Sequence, residues 1–191
     1  MDNQFYAYLS RMKYISRWSL MHNSSNETLS EHTLQVAILT HALCVIAHRR
    51  FGRQVDTAKA VLCALYHDAP EIITGDLPTP VKYYNPAIRD AYREIERTAA
   101  EKLLSMLPQD LEDEYRASFF CEDREVLDLV KAADKLGALI KCLEEERMGN
   151  REFVRAREAT ERALREMDLP EVEVFMKEFL PAYTLTLDEL E

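Results

Sequence analysis

The apolar residues of this chain recur at helical spacing, and no segment alternates between apolar and polar residues as a half-buried strand does. Only 4 of the 191 residues are glycine, whereas alanine, leucine, glutamate and arginine dominate, and these residues favour helix. A chain of this length can bury one substantial hydrophobic core. We therefore predict an all-α fold and a single domain that spans residues 1–191.

Capping residues and prolines place the ends of several predicted helices. The segment Thr28–Glu31 has the spacing of a capping box, so a helix is predicted from there to Gly52. Asn85-Pro86 predicts the start of a long helix that reaches about residue 107. The segment Gly75–Pro80 reads as an extended loop. The other predicted helices cover residues 3–14, a segment from Asp56 through His67-Asp68, residues 127–149, residues 152–167 and residues 171–180.

Charge and cysteine content limit the classes of partner. A net charge of −10 argues against a protein that binds nucleic-acid polymers, because phosphate backbones need a basic surface. It does not exclude one small phosphorylated ligand beside a local cation. The cysteines show no C-x-x-C spacing and are predicted to be free thiols. The longest apolar stretch, residues 34–47, is too short to span a bilayer, so we expect a cytoplasmic protein without membrane contact.

Two histidines and two aspartates offer the ligands that hold a divalent cation. They are His32, the doublet His67-Asp68, and Asp134. The doublet follows an apolar run, and Asp134 shares an inward helical stripe with Gly137, so these carboxylates are predicted to be buried. A buried carboxylate without a partner is costly, and one cation would compensate both. Four protein ligands leave one or two positions for water and substrate, which favours one-metal hydrolysis.

Each of these residues also has an ordinary structural interpretation. Asp134 could pair with a neighbouring lysine, and His32 taken alone could be a core or surface histidine. Glu71 follows His67 by four residues, so the two would share one face of a helix. Its ordinary interpretation is a surface carboxylate. No phosphate-binding glycine-rich loop and no Gly-x-Ser-x-Gly motif occurs in the sequence.

The pattern H…HD…D, formed by His32, His67-Asp68 and Asp134, resembles the HD superfamily of helical metal-dependent phosphohydrolases. Further segments closely resemble the bacterial 5'-deoxynucleotidases of the YfbR type: Leu9–Arg11, Arg17–Met21, Ser30–Ala37, Gly75–Lys82, Lys141–Glu145 and Leu185–Glu189. The resemblance covers nearly the whole chain and implies a single-domain HD-domain helical bundle. Pro70 and Lys135 stand where small residues are expected, and neither change removes a predicted ligand.

The resemblance implies hydrolysis of deoxyribonucleoside 5'-monophosphates to deoxynucleoside and phosphate. One divalent cation, which could be Co²⁺, Mn²⁺, Mg²⁺ or Zn²⁺, would be bound by His32, His67, Asp68 and Asp134. It would polarise a phosphate oxygen and lower the pKa of a bound water. Members of this group tend to form homodimers, so a homodimer is expected. No side chain is visibly committed to a base edge, which agrees with tolerance of several bases.

The resemblance also implies roles for residues outside the cation ligands. Arg17 would orient the phosphate, Trp18 would pack against the sugar and exclude a 2'-hydroxyl, and Asp76 would accept a hydrogen bond from the 3'-hydroxyl. Glu71 would position or deprotonate the water, or pass a proton to the leaving oxygen. The implied substrate-binding set is Arg17, Trp18, His32, Asp68, Asp76, Leu77, Pro78, Thr79 and Asp134. The corresponding ordinary interpretations are a solvated arginine, a core tryptophan and a turn aspartate.

Two alternative functions remain at this point. Other HD proteins cleave deoxynucleoside triphosphates, cyclic nucleotides or guanosine tetraphosphate. Outside the enzymes, the domain could be a metal-containing nucleotide sensor without turnover. Glu71 and Arg17 beside the predicted ligands favour catalysis, because a sensor needs no water-activating carboxylate.

Overall fold

The computed structural model describes residues 3–82 and 84–190, and within these ranges the regular structure is helical except for one isolated β-bridge between Ser16 and Thr28. The α-helices are α1 (Phe5–Leu9), α2 (Leu29–Phe51), α3 (Thr57–Tyr66), α4 (Glu71–Thr74), α5 (Thr79–Lys82), α6 (Pro86–Leu104), α7 (Gln109–Phe119), α8 (Arg124–Arg147), α9 (Val154–Glu166) and α10 (Pro170–Glu178). Short 3-10 segments cover Ser10–Tyr14, Arg151–Phe153, Leu180–Thr184 and Leu187–Glu189. The predicted all-α fold is confirmed.

Local capping interactions fix the helix ends where the sequence predicted them. The Thr28 side chain accepts a hydrogen bond from the Glu31 N–H, and the Glu31 carboxylate accepts one from the Thr28 N–H. At the other end of α2, Gly52 adopts the left-handed conformation (φ 67°), which a glycine accepts without steric cost. Asn85 caps α6 by accepting from the Ile88 N–H.

The helix predicted to carry the His67-Asp68 doublet is shorter than expected. α3 ends at Tyr66, and the doublet lies in a turn before the four-residue helix α4. Pro70 explains the break, because it has no N–H to donate to the Tyr66 carbonyl, which accepts from the Ala69 N–H at 3.1 Å instead. The prediction that His67 and Glu71 share the face of one helix was therefore wrong.

Two other segments differ from the predicted elements. The predicted loop Gly75–Pro80 runs into the helix α5, because the N–H groups of Val81 and Lys82 both donate to the Pro78 carbonyl. Helix α7 was not predicted from the sequence. None of its residues is fully buried, so its apolar stripe is weak.

Helices α2, α3 and α8 pack around the main hydrophobic core, with α9 against α8 and α10 against α2. A smaller core joins Phe5 and Ala69 to Leu103 and Leu104 of α6. The packing brings three segments close together: the first turn of α2, the turn after α3 and the middle of α8. All four cysteines are free, as predicted: Cys44, Cys63, Cys121 and Cys142.

Among the described residues, α2 is the one helix long and apolar enough to cross a membrane by length and composition alone. The helix extends past the apolar stretch of residues 34–47 at both ends. It is therefore long enough to cross a bilayer, whereas the stretch alone is not. Of its most apolar window, 56% is buried inside the fold. The core helix of a globular domain has these same properties.

Candidate active site

The four predicted cation ligands come together from distant parts of the chain. His32 Nε2 lies 3.1 Å from Asp134 Oδ1 and 3.6 Å from Asp68 Oδ2, and His67 Nε2 lies 3.1 Å from Asp68 Oδ2. Ligand atoms of His32, His67 and Asp68 all lie within 4.8 Å of one another. Asp134 joins this group through its contact with His32. We call these four residues the ligand cluster.

The surroundings of His67 fit a divalent cation. Its Nδ1 lies 2.7 Å from the Ala64 carbonyl oxygen, which can only accept, so Nδ1 carries the proton of that hydrogen bond. Its Nε2 is buried 3.1 Å from Asp68 Oδ2, but the two atoms are not aligned as a hydrogen bond. Burial opposes a charged ring, but the Asp68 carboxylate raises the pKa of His67 to about 9. Nε2 is therefore the atom that takes either a proton or a cation, and cation binding should release a proton.

The carboxylates of the ligand cluster are ionised at neutral pH. Burial opposes the charge of Asp68, but His67, His32 and Arg17 hold the pKa of that carboxyl below its usual range. The pKa of Asp134 is likewise lowered, because the hydrogen bond with His32 outweighs the cost of burial. Two carboxylates and two imidazoles suit Co²⁺, Mn²⁺, Mg²⁺ or Zn²⁺.

Gly137 lies where α2 and α8 meet. A Cβ at position 137 would meet the His32 ring and Gln35 Oε1 at 3.5 Å, which is an ordinary van der Waals distance. The two helices are therefore in contact where each supplies a ligand, and an alanine at position 137 would also fit there.

Glu71 is buried near the ligand cluster, so it is not the surface carboxylate of its ordinary interpretation. It is 4% exposed, and its Oε1 lies 3.8 Å from Lys82 Nζ. Burial raises the pKa of Glu71 to about 9, and the carboxylates of Asp68 and Asp76 act in the same direction. At neutral pH this side chain therefore carries a proton that it can donate.

Arg17 is the cation that faces the ligand cluster. Its Nη1 lies 3.5 Å from Asp68 Oδ2 and 3.9 Å from Asp76 Oδ1, and the side chain is only 12% exposed. Burial opposes its charge, but these carboxylates raise the pKa of Arg17 above its ordinary value. A guanidinium held in this way is permanently charged and can present two N–H groups to one phosphate.

The main cavity has a volume of about 650 Å³ and opens beside Arg17 and Asp134. All the predicted wall residues outside the ligand cluster line it: Trp18, Asp76, Leu77, Pro78 and Thr79. Lys135 lines it as well, so the cation noted in the sequence faces this cavity. The residues predicted to contact the phosphate and the sugar, which are Arg17, Trp18 and Asp76, therefore line the same cavity.

Another part of the wall of the main cavity was not predicted. One face of α9 supplies it through Ala156, Ala159, Thr160 and Ala163. The Thr160 hydroxyl donates to the Ala156 carbonyl at 2.8 Å, so it is already engaged within the helix. The small residues recur at helical spacing, but only the packing of α9 on α8 shows that they face a cavity.

A buried ion pair on α8 anchors the loop that carries Arg17 and Trp18. Lys141 Nζ donates to the Ser25 carbonyl at 2.7 Å and also bonds the Glu145 carboxylate. Glu145 accepts from the N–H groups of Ser24 at 2.8 Å and Ser25 at 3.1 Å, and from the Asn150 amide at 2.8 Å. This network accounts for two residues of the Lys141–Glu145 motif.

The fold and the sequence both match proteins of known type. The family model for 5'-deoxynucleotidase YfbR-like proteins matches residues 4–183. A protein of Yersinia pestis (strain Pestoides F) named 5'-deoxynucleotidase is 45% identical over 98% of this chain and 96% of its own length.

Solved structures share the fold at lower sequence identity. An HD-domain phosphohydrolase from Listeria innocua superposes with a TM-score of 0.82 at 24% identity, covering 94% of this chain and 88% of its own. The HD phosphohydrolase DatZ of cyanophage S-2L, described as bound to dA and one catalytic Zn²⁺ ion, gives 0.67 at 19% identity, covering 92% and 95%. The match over residues 4–183 and the 45% identity identify this chain as a member of the 5'-deoxynucleotidase YfbR-like family.

Proposed function

We propose that this protein is a metal-dependent 5'-deoxynucleotidase that hydrolyses deoxyribonucleoside 5'-monophosphates to deoxynucleoside and phosphate. The observation that carries the proposal is the shared chamber: Asp134 of the ligand cluster, Arg17 and the predicted sugar contacts Trp18 and Asp76 all line the main cavity. Its volume, about 650 Å³, falls in the range of small-molecule sites. The name of the Yersinia relative and the dA and Zn²⁺ described for DatZ support the same substrate and cofactor class.

The ligand cluster is proposed to hold one divalent cation. The observations that support this assignment are the buried Nε2 of His67, which makes no aligned hydrogen bond, and the ionised carboxylates of Asp68 and Asp134. A cation held by these four residues would supply Lewis-acid chemistry, which would polarise a phosphate oxygen and lower the pKa of a bound water.

Arg17 is proposed to bind the phosphate. Its guanidinium lies between the ligand cluster and Asp76, so a phosphate in the main cavity can reach it while facing Asp134. The two carboxylates hold the side chain in place, which limits the conformational entropy lost when the phosphate binds.

Asp76 and Trp18 are proposed to select the sugar. The Asp76 carboxylate, 16% exposed beside Arg17, would accept a hydrogen bond from the 3'-hydroxyl. Trp18 lines the same cavity, and its indole is held by Glu27 and by Phe153, whose ring centroid lies 5.3 Å away. These two contacts oppose the displacement of the indole by a 2'-hydroxyl. Leu77, Pro78 and Thr79 complete the wall on this side.

Glu71 is proposed as the proton carrier. As the bond between phosphorus and the 5'-oxygen breaks, the proton of Glu71 passes to that oxygen and yields the deoxynucleoside. The carboxylate that remains then takes the proton that the attacking water loses, which restores the starting state.

The test is phosphate release by metal-stripped protein resupplied with single divalent cations. The panel contains deoxynucleoside 5'-monophosphates, with ribonucleoside 5'-monophosphates and deoxynucleoside 3'-monophosphates as controls. We expect metal-dependent release from the deoxy 5'-monophosphates only, and none from a His67→Ala variant. Release of triphosphate or pyrophosphate from other nucleotides would replace the proposal with another HD activity. Nucleotide binding without any product would indicate the sensor.

Three finer predictions belong to the same proposal. All 191 residues are proposed to form one domain, and the protein is proposed to act as a homodimer in the cytoplasm. Size-exclusion chromatography with light scattering tests the dimer directly. The cation that works at physiological concentration follows from the resupply experiment.

A further inference from the structure

Glu27 lies at the junction of three functional side chains and has no role in the proposed reaction so far. Its Oε2 accepts a hydrogen bond from Trp18 Nε1 at 2.7 Å and lies 3.4 Å from Arg17 Nε. Its Oε1 lies 3.6 Å from His32 Nδ1. One carboxylate therefore faces a proposed cation ligand on one side and two proposed substrate contacts on the other.

The backbone around Glu27 makes this arrangement rigid. The Glu27 carbonyl accepts from the Arg17 N–H at 2.9 Å, and the Ile15 carbonyl accepts from the Leu29 N–H at 2.8 Å. These bonds flank the isolated antiparallel bridge between Ser16 and Thr28. The bridge fixes residue 27 beside residue 17, immediately before the helix that carries His32.

His32 needs an acceptor on the side that faces away from the ligand cluster. Its Nε2 faces Asp134 and Asp68, whereas its Nδ1 is buried and has no hydrogen-bond partner among the residues that the structure describes. A histidine that binds a metal through one nitrogen commonly donates from the other to a carboxylate, which fixes its ring orientation. Glu27 Oε1 is the carboxylate oxygen on that side.

Trp18 needs the same carboxylate for a different reason. Its backbone is in the left-handed region (φ 60°), which a bulky side chain rarely adopts. The hydrogen bond to Glu27, the packing of the indole on Phe153 and the bond from the Met21 N–H to the Trp18 carbonyl at 2.9 Å hold it there. Without Glu27, the partly buried indole N–H would lose its acceptor.

We propose that Glu27 is a positioning residue that holds His32 and Trp18 in one geometry and thereby couples cation binding to the conformation of Trp18. The inference rests on the cation site of the proposed function, but not on turnover. Cation binding orders His32 on Glu27, and the same carboxylate orders the wall that receives the sugar. Binding of the cation thus prepares the main cavity for substrate.

The test uses the single tryptophan of the chain as a reporter. Chelator-stripped full-length protein is titrated with Zn²⁺ in the absence of nucleotide, by calorimetry and by tryptophan fluorescence. In the wild-type protein we expect Zn²⁺ to change the Trp18 emission with the midpoint that calorimetry gives. Emission that does not respond to bound Zn²⁺ would overturn the proposal whatever the variants do.

Glu27→Gln is the decisive variant, and Glu31→Gln is its matched control. Both remove one carboxylate at the start of α2, but Glu31 only caps the helix, and glutamine serves that position equally well. We expect Glu27→Gln to weaken Zn²⁺ binding by roughly 10- to 100-fold, as removal of a carboxylate behind a ligating histidine does, and to abolish the emission change. Glu31→Gln should bind and respond as the wild type. Equal behaviour of the two variants would refute the role.

A second variant covers the case in which Glu27→Gln does not fold. Trp18→Phe removes the N–H that Glu27 accepts and leaves the carboxylate in place. Because coupling is reciprocal, this change must alter the Zn²⁺ affinity several-fold. An unchanged affinity would contradict the coupling. Neither experiment measures phosphate release, so failure of this inference and failure of the proposed activity are distinguishable.

Discussion

Replacing Lys141 with methionine should destabilise the protein by leaving a carboxylate buried without its cation. Lys141 is 3% exposed and Glu145 is fully buried. Removing one partner of a buried ion pair costs about 3–5 kcal/mol. Glu145 keeps the N–H groups of Ser24 and Ser25 and the amide of Asn150, so we expect the lower end, about 3 kcal/mol.

This free energy corresponds to a measurable shift of the melting temperature. An unfolding entropy of about 2.1 cal/mol/K per residue gives about 0.4 kcal/mol/K for a chain of 191 residues. A loss of about 3 kcal/mol therefore lowers Tm by about 7 °C. The assay is thermal and urea unfolding followed by far-ultraviolet circular dichroism in the presence of a chelator, so that bound cation does not contribute.

Lys131→Met on the same helix is the control. Its side chain is 64% exposed, and Asp128 Oδ1 lies 3.9 Å from its Nζ, so its removal should change stability by less than about 0.5 kcal/mol. Equal melting temperatures for the two variants would refute the reasoning. Adding Glu145→Met to Lys141→Met removes the unpaired charge but strands two backbone N–H groups, so stability should recover only in part.

Three further predictions concern the active site. The pKa of Glu71 is raised to about 9 in the folded protein, whereas the unfolded chain releases the same proton near the ordinary pKa of glutamate. This group therefore makes the free energy of unfolding fall as pH rises between those two values. In the presence of a chelator, the free energy of unfolding of Glu71→Gln should rise relative to that of the wild type between pH 5 and pH 8, by up to about 1.4 kcal/mol per pH unit. A difference in urea unfolding that does not depend on pH would contradict this. Asp76→Ala should lower kcat/KM for 2'-deoxynucleoside 5'-monophosphates by about 10-fold or more and leave that for 2',3'-dideoxynucleoside 5'-monophosphates nearly unchanged, because one charged hydrogen bond to the 3'-hydroxyl contributes about 1.5–3 kcal/mol; equal losses for both substrates would exclude the assignment. Ala159→Leu narrows the main cavity and should raise KM for purine more than for pyrimidine deoxynucleotides, and equal changes for both would mean that the base lies elsewhere.

Features that depend on neighbours along the chain were predictable from the sequence. The capping box at Thr28 and the cap at Asn85 act within one helical turn, so their residues define the helix starts without any tertiary contact. The burial of Asp68 was also predictable, because the doublet follows an apolar run, whereas the inclusion of His32 depended on the resemblance; the role of the four residues as cation ligands stays a prediction. The break at Pro70 was misjudged, since a proline can either bend a helix or end it.

Features that arise only from packing could not be predicted in the same way. Glu27 lies in a polar stretch that looks solvated, and its position depends on the bridge between Ser16 and Thr28. The small residues of α9 would suit a tight helix contact as well as a cavity wall. The role of Lys141 became apparent only when its partners on the loop at Ser25 were known.

The wide separation of the ligands along the chain has a consequence for folding kinetics. His32 and Asp134 are 102 residues apart, and they meet only after α2 and α8 have docked on each other. Contacts of such long range form late, because the loop-closure entropy must be paid first. A cation added to the folded protein should therefore slow unfolding and leave the refolding rate nearly unchanged. Cation capture would mark the end of folding rather than its nucleation.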